Sequence, residues 1–275
     1  MVSNKILYKI GLFALGSMLF SCNNDSEQKI EKPNYQLVWA DEFNGVAGSQ
    51  PDATKWTYDI GRGNNGWGNN EAQFYTNRPQ NVAMDGNGNL VITAIRETFQ
   101  GASYTSARIK TKNLFEQGYG RFEARLKTPY GQGLWPAFWM LGNNIDQVGW
   151  PFCGEIDIME LRGQKPNIAS CALHGPGYSG GNAILQEYTL FNGRFDNQYH
   201  VFAVEWHADR LDFYIDNLMY RRIEKSEVLQ AGQWVYDHPF FLILNVAVGG
   251  SFTGPPNAST PFPQKMTIDY VRVYK

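Results

Sequence analysis

Gly154-Glu155-Ile156-Asp157-Ile158-Met159-Glu160 places three acids within six positions and sets apolar residues between them. In a β-strand, residues two apart share a face, so Glu155 and Asp157 point one way and Ile156 and Ile158 the other. Glu160 lies five positions after Glu155, which on a regular strand would turn it to the opposite face. One extra residue bulged out near Ile158 or Met159 restores the parity and returns Glu160 to the acidic side. An exposed acidic strand would pair its acids with Lys or Arg, yet no basic residue alternates with them here. Tryptophans flank the segment instead. A strand with one apolar face and one carboxylate-lined face predicts a two-layered β-fold with a cleft.

Working outward, the first residues read as an export signal. Lys5 and Lys9 precede an apolar run, 10–20, that is too short to span a bilayer as a helix. Leu19-Phe20-Ser21-Cys22 resembles a bacterial lipobox, which predicts a lipoprotein signal peptide over 1–21 and acylation at Cys22. Residues 22–34 are polar, carry Asp25, Glu27 and Glu31, and read as a flexible tether. The expectation is an exported protein held by its lipid at a membrane, the outer one, facing the periplasm or the cell surface.

Residues 35–275 form one domain, a length ordinary for a single β-sandwich. A net charge of −2 with scattered Lys and Arg argues against a nucleic-acid surface. Aromatic residues make up 15% of the chain and there are 28 glycines. Rigid flat side chains among many tight turns suit an all-β protein that binds something flat and polar, such as sugar. Beyond Cys22, only Cys153 and Cys171 remain. An exported pair could form a disulfide, but the two do not fall opposite each other in a hairpin of 155–161 with 168–175, which favours free, buried thiols over the bridge.

Short apolar stretches alternate with turn-rich ones. Strands are expected at 89–96, 121–127, 201–206, 211–216, 240–248 and 266–274, with tight turns at Asp85–Gly88 and Asp216–Asn217. A short helix is allowed at 136–141 or 224–230. Many short strands with frequent turns imply two packed antiparallel sheets.

Around the acids, strand parity puts Trp135, Ala137 and Trp139 on one face, against Phe138 and Met140 on the other. Phe138 and Met140 fit an inter-sheet core, and the two tryptophans fit an aromatic wall for the C–H faces of sugar rings. His174 shares the parity of Ala172 and sits on the cleft side of the next strand. The Gly-rich segments Gly175–Gly181 and Gly61–Glu71 read as loops over and beside the cleft, the second offering Trp67 and backbone amides. It lacks the Gly-Lys-Ser/Thr ending of a phosphate loop.

Glu155–Glu160 matches the signature of glycoside hydrolase family 16, in the version with the inserted residue. The rest resembles the bacterial laminarinases of that family through Trp39–Phe43, Gly66–Glu71, Thr105–Arg108, Gly118–Arg125, Leu134–Leu141, Leu173–Gly180, Asp237–Asn245 and Ile268–Tyr274. The resemblance implies a β-jelly-roll sandwich of two antiparallel sheets, concanavalin- or lectin-like, with a concave substrate cleft. It implies a retaining endo-1,3-β-glucanase, with Glu155 as nucleophile, Glu160 as general acid/base and Asp157 steering their protonation. It further implies sugar contacts from Trp135, Trp139, His174, Arg108 and Asn245. No cofactor is expected for catalysis. A structural calcium on the convex side would take Glu42, the Gly88 carbonyl and Asp269. The partner is a β-glucan polysaccharide, met by a monomer.

Cys171 stands where many members of the family carry another small residue, which bears on local packing only. The inserted Met159 argues against the lichenase type, whose signature lacks the bulge. Sulfated-galactan enzymes would carry more basic residues near the acids than Arg162 alone. Activity on another β-glycan, a non-catalytic glucan-binding role and a structural surface lipoprotein are the competing readings. The three retained carboxylates and the tryptophans beside them oppose the last two.

Overall fold

The computed structural model describes residues 35–275; the expected signal peptide (1–21), the expected tether (22–34) and Cys22 lie outside the described residues. Strands β1 (Leu37–Asp41), β2 (Thr57–Asp59), β3 (Gln73–Tyr75), β4 (Val82–Met84), β5 (Leu90–Phe99) and β6 (Ala102–Ser106) come first. β7 (Arg108–Lys110), β8 (Gly120–Lys127) and β9 (Leu134–Gly142) follow, then the one-turn helix α1 (Ile145–Val148). β10 (Glu155–Leu161), β11 (Ile168–His174), β12 (Ile184–Thr189), β13 (His200–Trp206), β14 (Arg210–Ile215) and β15 (Leu218–Glu224) lead to α2 (Lys225–Ala231). β16 (Phe240–Val248) and β17 (Gln264–Tyr274) close the chain. The fold is an all-β jelly-roll sandwich.

Seven strands, in the order β12-β11-β10-β9-β16-β7-β2, make the sheet that carries the acids, and the other ten make the sheet behind it. Each expected strand is present, with ends moved by up to three residues. Of the two allowed helices, the later one is α2; residues 136–141 lie inside β9. Phe138 and Met140 are fully buried, so sheet packing overrides any helical tendency there.

The period-2 alternation sets up both faces of the cleft sheet. In β16, Phe240, Leu242, Leu244, Val246 and Val248 join the core between the sheets, where they meet Phe122 and Ala124 of β8 and Val204 of β13. The alternate residues Phe241 and Ile243 form a separate small cluster with Leu141 and Cys153. β9 and β16 pair through Trp139 with Ile243, Ala137 with Asn245 and Trp135 with Ala247, which places that second set on the cleft side.

The bulge sits where parity demanded it. Against β9, Asp157 pairs with Trp139, Met159 with Phe138 and Glu160 with Ala137, so β10 advances two residues while β9 advances one. Against β11 the register slips over the same stretch, from Asp157·Ala172 to Glu160·Ser170. Ile158 and Met159 both turn into the inter-sheet core, 1% and 0% exposed. Burying both side chains there, each worth about 1.5–3 kcal/mol, holds the extra residue in place. Cys153 and Cys171 are both free and buried.

On the opposite sheet, β17 has its own irregularity between Ile268 and Tyr270, and Ile268 pairs with Leu90, two residues beyond Gly88. The backbone therefore brings Asp269 and the Gly88 turn close together. Both carboxylates expected to hold calcium are already occupied, however. Glu42 accepts from Nε and Nη2 of Arg272 at 2.8 and 2.9 Å, and Asp269 is paired with Arg125. As arranged, the side chains do not fit an ion.

Candidate active site

Glu155, Asp157 and Glu160 line up along the cleft face of β10, between Trp139 and Ala137 of β9 and His174 and Ser170 of β11. They differ in burial, and the difference sorts their chemistry. Asp157 and Glu160 are 2% and 9% exposed. Burial, followed by the charge of Glu155, raises Glu160 from 4.5 to about 7. His174, the Trp135 N–H and Arg162 pull the other way, and burial wins. Burial also raises Asp157 well above the usual carboxylate range, helped by Glu155 and Glu160 and by a hydrogen bond to Glu155. The protonated form of Asp157 is favoured, and in that form it donates to Glu155.

Three side chains hold this trio. Trp135 donates its indole N–H to Oε1 of Glu160 at 2.8 Å. Trp150, in the loop before β10, donates its own to Oε2 of Glu155 at 2.7 Å. His174 brings Nε2 to 3.1 Å from Oδ2 of Asp157 and 3.9 Å from Oε1 of Glu155. Its Nδ1 accepts the Gly180 backbone N–H at 3.1 Å, which assigns the ring hydrogen to Nε2. The contact to Asp157 is short but poorly directed, so Oδ2 lacks a well-aligned hydrogen bond. The Gly-rich segment after His174 thus sets the imidazole tautomer.

Trp139 and Trp67 meet at Arg108. Its guanidinium lies 5.0 Å from the Trp67 ring and 4.7 Å from the Trp139 ring, and its Nε pairs with Asp59 at 2.9 Å. Trp67 takes a left-handed backbone conformation (φ 55°), as do Asn65 and Asn70 beside it. For a bulky residue that conformation is strained, and the hold of Arg108 and Tyr75 on the indole maintains it. Trp135 packs on Phe252 with ring centroids 5.0 Å apart, and Arg162 stacks over Phe252 at 3.8 Å.

The expected site residues therefore fall into two groups. Trp135, Trp139 and His174 stand beside the acids, with Arg108 against the Trp139 ring and Trp67 beyond Arg108. Asn245 lies lower than expected. It is 5% exposed, its Oδ1 accepts from Trp139 Nε1 at 2.7 Å, and its Nδ2 donates to Tyr75 OH at 3.1 Å. It sits beneath Trp139 rather than on the cleft surface, which strand parity alone could not distinguish. Trp150 escaped the sequence reading because it lies outside any strand, where no periodicity assigns a face. Its one signal was proximity, five residues before Glu155. Among the described residues, Glu155, Asp157 and His174 could also converge on a metal ion, but burial favours the protonated form of Asp157, which is a poor ligand.

A family model described as Glycosyl hydrolases family 16 matches residues 69–272. The chain is 36% identical over 267 residues to a beta-glucanase of Rhodothermus marinus, covering 94% of this chain and 92% of that protein. It is 38% identical over 264 residues to glucan endo-1,3-beta-glucosidase A1 of Niallia circulans, covering 87% of this chain but only 38% of that longer protein. Among solved structures, the laminarinase catalytic domain of Thermotoga maritima MSB8 superposes with a TM-score of 0.82 at 47% identity, over 88% of this chain and 98% of that one.

Proposed function

This chain belongs to glycoside hydrolase family 16, and we propose that it cuts internal β-1,3-glucosidic bonds of laminarin-type β-glucans by double displacement. The observation that carries the reading is the pair of unlike glutamates on one strand face. Glu160 is kept as an acid by burial beside Glu155, while Glu155 is the most exposed of the three and accepts hydrogen bonds from Trp150 and Asp157. A glutamate held as an acid beside a second, more open one is what acid and nucleophile require.

In the first step Glu160 gives its proton to the glycosidic oxygen as that bond breaks, and a carboxylate oxygen of Glu155 attacks the anomeric carbon. A glycosyl ester on Glu155 results, and the downstream chain leaves as an alcohol. Glu160, now ionised, takes a proton from water, which attacks the same carbon and frees Glu155. Asp157 donates to Glu155 in the resting state and can release that hydrogen bond as the ester forms, with His174 Nε2–H beside its second oxygen. Trp135 and Trp139 supply the walls for the sugar, and Arg108 fixes the far side of Trp139.

Hydrolysis of laminarin, assayed against lichenan, agarose and curdlan, tests the reading. Faster release of reducing ends from laminarin and curdlan supports it. Activity confined to agarose would move the enzyme to galactans. Binding without release would make it a glucan-binding protein, against which the three retained carboxylates argue.

We also propose that Cys22 carries a lipid and that residues 22–34 let a monomeric domain stand off an outer membrane. The reading rests on the Leu19–Cys22 motif.

A further inference from the structure

A buried carboxylate outside the catalytic trio ends a hydrogen-bond chain that begins at the cleft wall. Trp139 Nε1–H donates to Asn245 Oδ1 (2.7 Å), Asn245 Nδ2–H to Tyr75 OH (3.1 Å), and Tyr75 O–H to Glu71 Oε2 (3.1 Å). Every donor points the same way, so Glu71 is the final acceptor. Fixing it fixes the amide orientation of Asn245 and the hydroxyl rotor of Tyr75. Tyr75 is fully buried and Glu71 is 6% exposed, so water cannot substitute for a missing partner.

The same acid is anchored on its other side. Oε2 also accepts from Gln73 Nε2 at 2.6 Å, and Gln73 Oε1 accepts the Val248 N–H at 2.7 Å. Glu71 bridges to Gly249, and Asn69 O accepts the Ser251 N–H at 2.8 Å, next to the Phe252 that packs on Trp135. Both cleft tryptophans thus lean on residues 69–75, one through side chains and the other through backbone.

We propose that Glu71 is a positioning residue for the reaction: through Tyr75 and Asn245 it locks the plane of Trp139, which stands opposite Asp157 on β9, and so sets the wall against which the reacting sugar is held. Burying a carboxylate is costly, and here it supplies an acceptor that fixes three successive groups without touching substrate. A mispositioned wall loosens the reactive arrangement, so the effect belongs in kcat/KM and not in stability alone.

This inference rests on the glucanase reading, and the test separates the two. Wild type, E71Q, E71L and Y75F are compared for laminarin hydrolysis and for hydrogen exchange at the Trp139 indole N–H by NMR, the second in free protein. E71L and Y75F are expected to lose about tenfold or more in kcat/KM and to lose protection at that indole. E71Q keeps an amide oxygen for Tyr75 and Gln73 and should restore both readouts to near wild type. E71L combined with Y75F should be no worse than the poorer single variant, since both cut one chain. If E71L and Y75F lower the melting temperature but leave kcat/KM and Trp139 protection unchanged, Glu71 is only structural and the proposal fails. Loss of protection in both variants with no laminarin hydrolysis even in wild type would preserve the chain and overturn the glucanase reading instead.

Discussion

The indole N–H of Trp135 lies 2.8 Å from Oε1 of Glu160, on the oxygen of a buried acid that titrates near 7. A donor on that oxygen favours the charged form and opposes the effect of burial. Activity needs the protonated form, so kcat/KM should fall on the alkaline side with an apparent pKa of about 7. Removing the donor in W135F should move that limb to higher pH, whatever it does to the plateau. A limb that stays put, or moves down, would show that the contact does not govern the acid. The sign for stability is the same. Glu160 is raised in the folded protein, so its contribution is complete below about 4.5 and is lost as pH rises towards 7. E160Q should flatten that decline in a pH series of thermal melts.

Glu155→Gln and Glu160→Gln should each cost about a thousandfold or more in laminarin hydrolysis while leaving the circular dichroism spectrum and glucan binding intact. Asp157→Asn keeps a donor towards Glu155 and should cost less. Near wild-type turnover in either glutamate variant would remove that residue from its role.

Because both glutamates stand on one short strand segment, separated only by Asp157 and the bulge, they should be too close to admit an in-line water between them and the sugar. NMR of the first-formed product should show the β-anomer, with transglycosylation at high oligosaccharide concentration. An α-anomer appearing first would rule out the covalent intermediate.

Trp150 is 47% exposed, yet its N–H is directed at Glu155. W150F removes the hydrogen bond to the Glu155 carboxyl while keeping the ring, so it should lower kcat about tenfold with little change in melting temperature. Unchanged kcat in W150F would mean that the contact is incidental.

A single acyl chain holds a protein only marginally at a membrane, whereas two or more anchor it stably. Cys22→Ala should therefore shift the activity from the membrane fraction to the soluble or secreted one. A wild-type protein that is already soluble, and whose mature N-terminus is not Cys22, would mean an ordinary secreted enzyme.

How much of this was legible in the sequence follows from what is periodic. Strand period made the acidic face of β10, the split of Trp135 and Trp139 from Phe138 and Met140, and the need for a bulge all readable from 134–161. These depend only on which side of a pleat a residue occupies. Depth is different. That Asp157 and Glu160 are buried enough to favour their protonated forms, while Glu155 stays partly open, depends on how loops and neighbouring strands close over the sheet. Asn245 carried the parity of a cleft residue, but only packing put Trp139 on top of it and joined it through Tyr75 to Glu71, 174 positions earlier in the chain. Trp150 and the Gly180 amide act from irregular backbone, which has no repeat to read. Sequence determined which residues face the cleft; tertiary structure alone decided which of them are dry, which are charged and which hold another in place, because burial and hydrogen-bond geometry are made by contacts between distant segments.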